Sequence, residues 1–206
     1  MSLKEHWNAA YQKNPTEKLG WFEETPYPTT ALISKTGIQN DARILVIGAG
    51  SSTLIDYLVE NNYSQIIAHD ISSAAFDNLK LRLGNKADKI EWLLDDLCKP
   101  EVLDKINPVD LWIDRAVLHF LTEETDRKTY FDLLRAKVKS GGYVIIAEFN
   151  LEGAEKCSGL PVYRYNQPMI ENELGADFNL IEAFNYTFIN PGGAERPYIY
   201  TLFQRK

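Results

Sequence analysis

Arg43-Ile-Leu-Val-Ile-Gly-Ala-Gly-Ser-Ser52, answered by Asp70 at the end of the next apolar run, is the stretch that decides the fold. Ile44–Ile47 breaks directly into Gly48-Ala49-Gly50, the pattern of a buried parallel strand turning sharply into a helix. The glycines let the turn close and leave bare main chain for a ligand to lie against. A carboxylate roughly 20 residues beyond such a loop is where a doubly wound α/β fold holds the two hydroxyls of an adenosine ribose. Asp70 has that spacing, so loop and acid together predict a nucleoside-containing cofactor.

Working outward, apolar strands alternate with helical stripes. Strands are expected at Ile44–Ile47, Gln65–His69, Ile90–Leu94, Leu111–Asp114 and Tyr143–Phe149, all short and rich in β-branched or aromatic residues. Leu54-Ile55…Leu58-Val59, Phe76…Leu79…Leu83 and Tyr130…Leu133-Leu134…Val138 carry helical spacing between them. Ser72 or Ser73 and Thr122 suit helix N-caps, and Gly141-Gly142 suits a helix stop. Leu3–Lys13 and Thr29–Gly37 are expected helices before the first strand, and a helix is expected around Pro168–Leu174. Two β-rich runs, Asn179–Ile189 and Pro197–Phe203, flank Pro191-Gly192-Gly193 and read as a hairpin. The fold class is therefore α/β: a doubly wound, mostly parallel sheet finished by an antiparallel edge strand, with helices on both faces.

The 206 residues are 45 % apolar and 25 % charged, enough for one full α/β domain and not two. We divide that domain into an N-terminal helical lid segment (1–40), a cofactor-binding core (43–149) and a substrate-side insert with hairpin (150–206). A formal charge of −7 without a basic stripe argues against nucleic acid or an anionic membrane as partner. No apolar run approaches a membrane span, and the first residues lack a signal-peptide core. Cys98 and Cys157 share no metal-ligand spacing, which points to a reduced, cytoplasmic setting and no metal.

Beyond these features the chain resembles the class I S-adenosylmethionine-dependent methyltransferases along nearly its whole length. The resemblance rests on Ile47-Gly48-Ala49-Gly50-Ser51, Asp70, Asp95-Asp96 after Trp92, Asp110-Leu-Trp-Ile-Asp-Arg-Ala-Val-Leu-His119 and Ser140-Gly-Gly-Tyr-Val-Ile-Ile146. It implies a seven-stranded sheet whose last strand is reversed, and S-adenosyl-L-methionine as cofactor. That donor carries no phosphate, which agrees with Ser51-Ser52-Thr53 where a phosphate-binding loop needs Gly-Lys. Trp7…Tyr11…Leu19-Gly-Trp-Phe22 and Glu155-Lys-Cys-Ser-Gly-Leu-Pro-Val-Tyr-Arg-Tyr165 resemble a group of small bacterial methyltransferases, largely of unassigned substrate. The N-terminal segment is also similar to eukaryotic seven-strand protein-lysine methyltransferases, and Asp114-Arg115-Ala116 resembles thiopurine methyltransferase-like enzymes. Two positions depart from the family. Val46 stands where an acid is common two residues before the first loop glycine, and Ser52 replaces the third glycine. The resemblance therefore implies no side-chain salt bridge from that strand to the cofactor's amino group, and leaves the loop carbonyls for it.

The resemblance places Gly48, Ala49, Gly50, Ser51, Asp70 and Ile71 against the donor, with Asp70 accepting from the ribose hydroxyls; capping of the next helix is the simpler role for that acid. Asp95, Asp96 or the Leu97 main chain would meet the adenine amino group, and the doublet leaves the register open. Asp114, with Arg115, would shape the methionine end or form an ion pair. His119 is a candidate general base with Asp114, because an unperturbed imidazole titrates near neutrality; its apolar flanks equally suit a core histidine. Trp7, Tyr11, Trp21 and Phe22 suit a lid over the sulfonium, Trp21 best, or plain packing. Tyr163, Arg164 and Tyr165 suit an anionic or aromatic acceptor, or a structural loop.

Methyl transfer by in-line displacement to a small-molecule acceptor is the expected activity, at oxygen, nitrogen or sulfur. A protein-lysine acceptor is the alternative. A nicotinamide oxidoreductase would need a third glycine at Thr53, and a non-catalytic donor-binding protein is the remaining rival.

Overall fold

The computed structural model describes residues 2–206. Its first helix, α1 (Leu3–Lys13), is closed by a capping box in which Ser2 Oγ accepts from Glu5 N and Glu5 Oε2 accepts from Ser2 N. α2 (Tyr27–Thr36) stops at Gly37, whose φ of 66° is the left-handed cap a glycine adopts without strain. β1 (Arg43–Ile47), α3 (Thr53–Glu60), β2 (Gln65–Asp70), α4 (Ser73–Leu83), β3 (Ile90–Leu94), β4 (Val109–Arg115), α5 (Glu124–Lys137) and β5 (Val138–Phe149) follow. A two-residue ribbon, β6 (Lys156–Cys157) with β7 (Leu160–Pro161), precedes α6 (Gln167–Leu174), β8 (Phe178–Ile189) and β9 (Glu195–Arg205).

The seven-stranded sheet runs β3-β2-β1-β4-β5-β9-β8. Strand alternation splits the interior in two. Ile44 and Val46 face a core shared with Leu32, Ile55, Leu58 and Leu79, while Leu45 and Ile47 face one shared with Tyr130, Phe131 and Leu134. α1 packs chiefly on α4, where Tyr11 and Leu19 meet Ala74 and Ala75. β1 lies between β2 and β4, so strand order reverses there and a crevice opens outside the carboxyl ends of the strands.

Three sequence expectations are corrected. The reversed strand is not at the edge: β9 pairs antiparallel with β5 on one side and β8 on the other, so β8 runs parallel to the remainder. Burial explains this, because Ile199–Phe203 is buried on both faces whereas β8 is buried only at Phe178 and Phe188. Thr122 caps nothing; α5 starts at Glu124 after Glu123, which makes no side-chain cap bond. Gly141-Gly142 stops no helix, since α5 ends at Lys137 and the chain enters β5 at once. Val138, fully buried, pairs with Val109, and that apolar pairing outweighs the glycine signal downstream.

Candidate active site

The loop after β1 is held open by geometry that only glycine tolerates. Gly48 and Gly50 have φ of 54° and 52°. A Cβ on Gly48 would meet Val117 Cγ2 at 2.1 Å, and one on Gly50 would meet the Tyr11 hydroxyl at 2.3 Å. Ala49 N donates to His69 O at 2.7 Å, tying the loop to β2. Arg82 grips it from behind, donating to Ser51 O at 2.7 Å and Ser52 O at 2.8 Å. Ser52, in place of the third glycine, caps α3 by accepting from Leu54 N.

Asp70 sits at the carboxyl end of β2 with one oxygen accepting from Gly50 N at 2.8 Å and the other from Ser72 N at 2.7 Å. Ser72, not Asp70, caps α4. Burial pushes the Asp70 carboxyl up to about 6, against the pull of those N–H donors. The neighbouring acids separate. Asp95 accepts from the N–H groups of Glu101, Val102 and Leu103, and those donors hold its carboxyl below the usual range against a desolvation penalty. Asp96 accepts from Cys98 N and lines a cavity in the crevice, together with Ile71, Leu97 and Leu121. His69 also faces this cavity with neither ring nitrogen hydrogen-bonded. Burial drives its pKa down to about 4, despite the opposing acids Asp95 and Asp96, so the imidazole is neutral near pH 7.

Aromatic rings from the N-terminal segment lie over the crevice. Trp21 Nε1 donates to the Tyr11 hydroxyl at 3.2 Å, and Trp7 meets both Trp21 and Phe120 edge to face. Tyr11 and Trp21 line two adjoining chambers of about 110 and 50 Å³, one on the Asp70 side and one beneath the loop. Both fall below the roughly 300 Å³ at which ligand pockets begin. The chemistry of the cradle suits S-adenosylmethionine. Two Cβ-free positions face the crevice, a carboxylate stands ready for ribose, and Arg115 Nη2 is buried without a partner.

Behind this site lies a polar cluster that does not reach it. His119, Asp114 and Glu148 are all 0 % exposed, and none lines either chamber. Glu148 accepts from Leu118 N at 3.1 Å and His119 N at 3.2 Å. His119 Nδ1 lies 2.7 Å from Glu148 Oε2, off the hydrogen-bonding direction. Asp114 accepts from Val117 N. Burial raises both carboxyls, Glu148 to about 8, and Asp114 is raised further by Glu148 beside it. Together they clamp a strained loop in which Ala116 takes φ 65°. Arg115 pairs not with Asp114 but with Glu23, 2.9 Å away.

Tyr163, Arg164 and Tyr165 are likewise used by the fold. Tyr163 lies under the Arg127 guanidinium at 4.0 Å, Arg164 donates to Leu151 O and Gly153 O, and Tyr165 is 1 % exposed. From the same insert it is Cys157 that reaches the cavity. Sequence reasoning passed over Glu23 and His69; acids directly after Trp21-Phe22, and a histidine directly before Asp70, were the available signals. Among the described residues, no cluster of His, Cys, Asp and Glu suits a metal, and no helix is long and apolar enough to cross a membrane.

Residues 45–146 match the family described as a methyltransferase domain. The chain is 25 % identical over 166 residues to EEF1A lysine methyltransferase 2 of Danio rerio, covering 73 % of this chain and 70 % of that protein. Its fold resembles a SAM-dependent methyltransferase from Anabaena variabilis (TM-score 0.78, 15 % identity, 100 % of this chain and 96 % of that one). It also resembles the N-methyltransferase NodS from Bradyrhizobium japonicum, solved with S-adenosyl-L-homocysteine (TM-score 0.68, 12 % identity, 97 % and 98 % covered). The family match spans the glycine loop, Asp70 and the strand order that brings them together, and on that ground the chain is a class I S-adenosylmethionine-dependent methyltransferase.

Proposed function

We propose that the donor lies across Gly48–Gly50 with its ribose on Asp70 and its adenine toward Asp96 and Leu97, and that the acceptor is a small molecule. Bound there, S-adenosylmethionine supplies the electrophilic methyl group. The chain's own part is to orient, to exclude water through Trp7, Trp21 and Phe120, and to leave one line of approach to the sulfur. The observation that carries the small-molecule reading is the small, largely aromatic and apolar chamber beside Asp70. Besides Asp70, Asp96 and His69, its lining includes Leu3, Trp7, Phe120 and Cys157. A narrow chamber of this kind suits a small acceptor better than a side chain presented by a folded protein.

Asp70, Asp96 and His69 line this chamber, whereas His119 is fully buried and does not. A protein-lysine acceptor is the second reading, favoured by the Danio rerio relative and by the net charge of −7. Incubation of a cell lysate with methyl-labelled donor, split into protein and metabolite fractions, tests both. Label in metabolites supports the small-molecule reading, and label confined to protein overturns it.

A further inference from the structure

Val46 lies two residues ahead of Gly48, 4 % exposed, on the wall of the smaller chamber. An apolar side chain there has nothing to offer an ammonium group. Glu23 and Arg115 line the same chamber and form an ion pair, Arg115 Nε to Glu23 Oε2 at 2.9 Å, with side chains 12 % and 8 % exposed. Arg115 also donates to the Tyr200 hydroxyl at 3.1 Å and to Trp21 O at 3.2 Å, while the rings of Tyr198 and Phe188 flank the guanidinium at 4.9 and 5.0 Å. After all this Nη2 remains buried and without an acceptor. Thr29 Oγ1, in the same chamber and on a residue 1 % exposed, is also unpartnered. Glu23 is fixed beside the loop because its carbonyl accepts from Thr53 Oγ1 at 2.8 Å.

A buried ion pair with an idle N–H and an idle hydroxyl is costly unless something completes it. A zwitterion does so on both sides. Its carboxylate takes the Arg115 fork, which is shaped for bidentate pairing, and its ammonium takes the Glu23 carboxylate. The methyl donor ends in such an amino acid. With the ribose at Asp70 and the chain laid over Gly48–Gly50, that end falls on the far side of the loop, in this chamber.

We propose that Glu23 and Arg115, supported by Thr29, receive the amino-acid end of the methyl donor, taking over from the strand-borne acid that Val46 replaces. This rests on the donor orientation given under the proposed function.

Titration calorimetry with S-adenosylhomocysteine and with 5′-methylthioadenosine separates this from the donor reading, since the second ligand keeps adenosine and sulfur but lacks the amino acid. Wild-type protein binds S-adenosylhomocysteine at least about 10-fold tighter, the scale of a charge-assisted pair. Glu23→Gln and Arg115→Lys lose about 10–100-fold for S-adenosylhomocysteine and under about 2-fold for 5′-methylthioadenosine. Asp70→Asn weakens both ligands. Should an Arg115 variant not fold, Glu23→Gln and the wild-type preference decide alone. Equal wild-type affinities, or parallel losses for the two ligands, overturn the Glu23–Arg115 receptor while leaving the donor site intact. Wild-type protein that binds neither ligand overturns both.

Discussion

Replacing Asp70 by Asn is expected to stabilise the unliganded protein near neutral pH while weakening donor binding. Asp70 is 6 % exposed and its carboxyl is raised from 3.8 to about 6 by burial. A folded-state pKa above the unfolded value means that the folded chain holds its proton longer, so this group favours folding below pH 3.8 and loses that advantage as pH rises through 6. About two pKa units at about 1.4 kcal/mol each make the ionised carboxylate a liability of about 3 kcal/mol above that window. Asparagine removes the charge but keeps one oxygen for either Gly50 N or Ser72 N, and losing the other acceptor costs about 1–2 kcal/mol at every pH. The pH-dependent part is therefore separable. Urea denaturation of both proteins should show the stability of Asp70→Asn relative to wild type rising by about 2 kcal/mol from pH 4.5 to pH 7.5. Affinity for S-adenosylhomocysteine should fall by about 1–3 kcal/mol, because ribose hydroxyls donate best to a charged oxygen. A difference flat with pH would refute the buried-carboxylate reasoning, and unchanged affinity would remove Asp70 from the ribose.

Gly50→Ala forces a Cβ to within 2.3 Å of the Tyr11 hydroxyl at a φ of 52°. It should destabilise by about 1–3 kcal/mol, and Tyr11→Ala in the same chain should recover the clash but not the about 1 kcal/mol of left-handed strain. A thermal-melt double-mutant cycle showing strict additivity would contradict that contact. Glu148→Ala leaves the N–H groups of Leu118 and His119 buried without acceptors and should cost about 2–5 kcal/mol in chemical denaturation. A loss below about 1 kcal/mol would mean that the loop after β4 is held by something else.

Three of the five strands of the cofactor half were legible to within a residue, whereas β4 (Val109–Arg115) and β5 (Val138–Phe149) begin two and five residues before the expected Leu111 and Tyr143. Ile90–Leu94 is the strand that was expected, and β1 and β2 differ from expectation by a residue at one end. These are consequences of local sterics: β-branched runs extend, and glycine alone accepts the turn at positive φ. Gly141-Gly142 misled because a local breaker signal says nothing about the partner strand, and Val109 waiting beside Val138 decided the matter. His119 and Asp114 looked reactive for the same reason. Their residue types are chemical, but burial behind the crevice is a property of β4 and β5 together.

By itself the sequence determined the alternation of strands and helices, the turn at Gly48–Gly50 and the carboxylate one strand later, because each depends only on neighbouring φ, ψ and side-chain size. Tertiary structure alone decided that Asp95 is spent on N–H groups while Asp96 faces the cavity. It also placed β9 inside the sheet, and it set Glu23 against Arg115, residues far apart in the chain. Which groups meet across such distances depends on how the layers close over one another, and no local propensity encodes it.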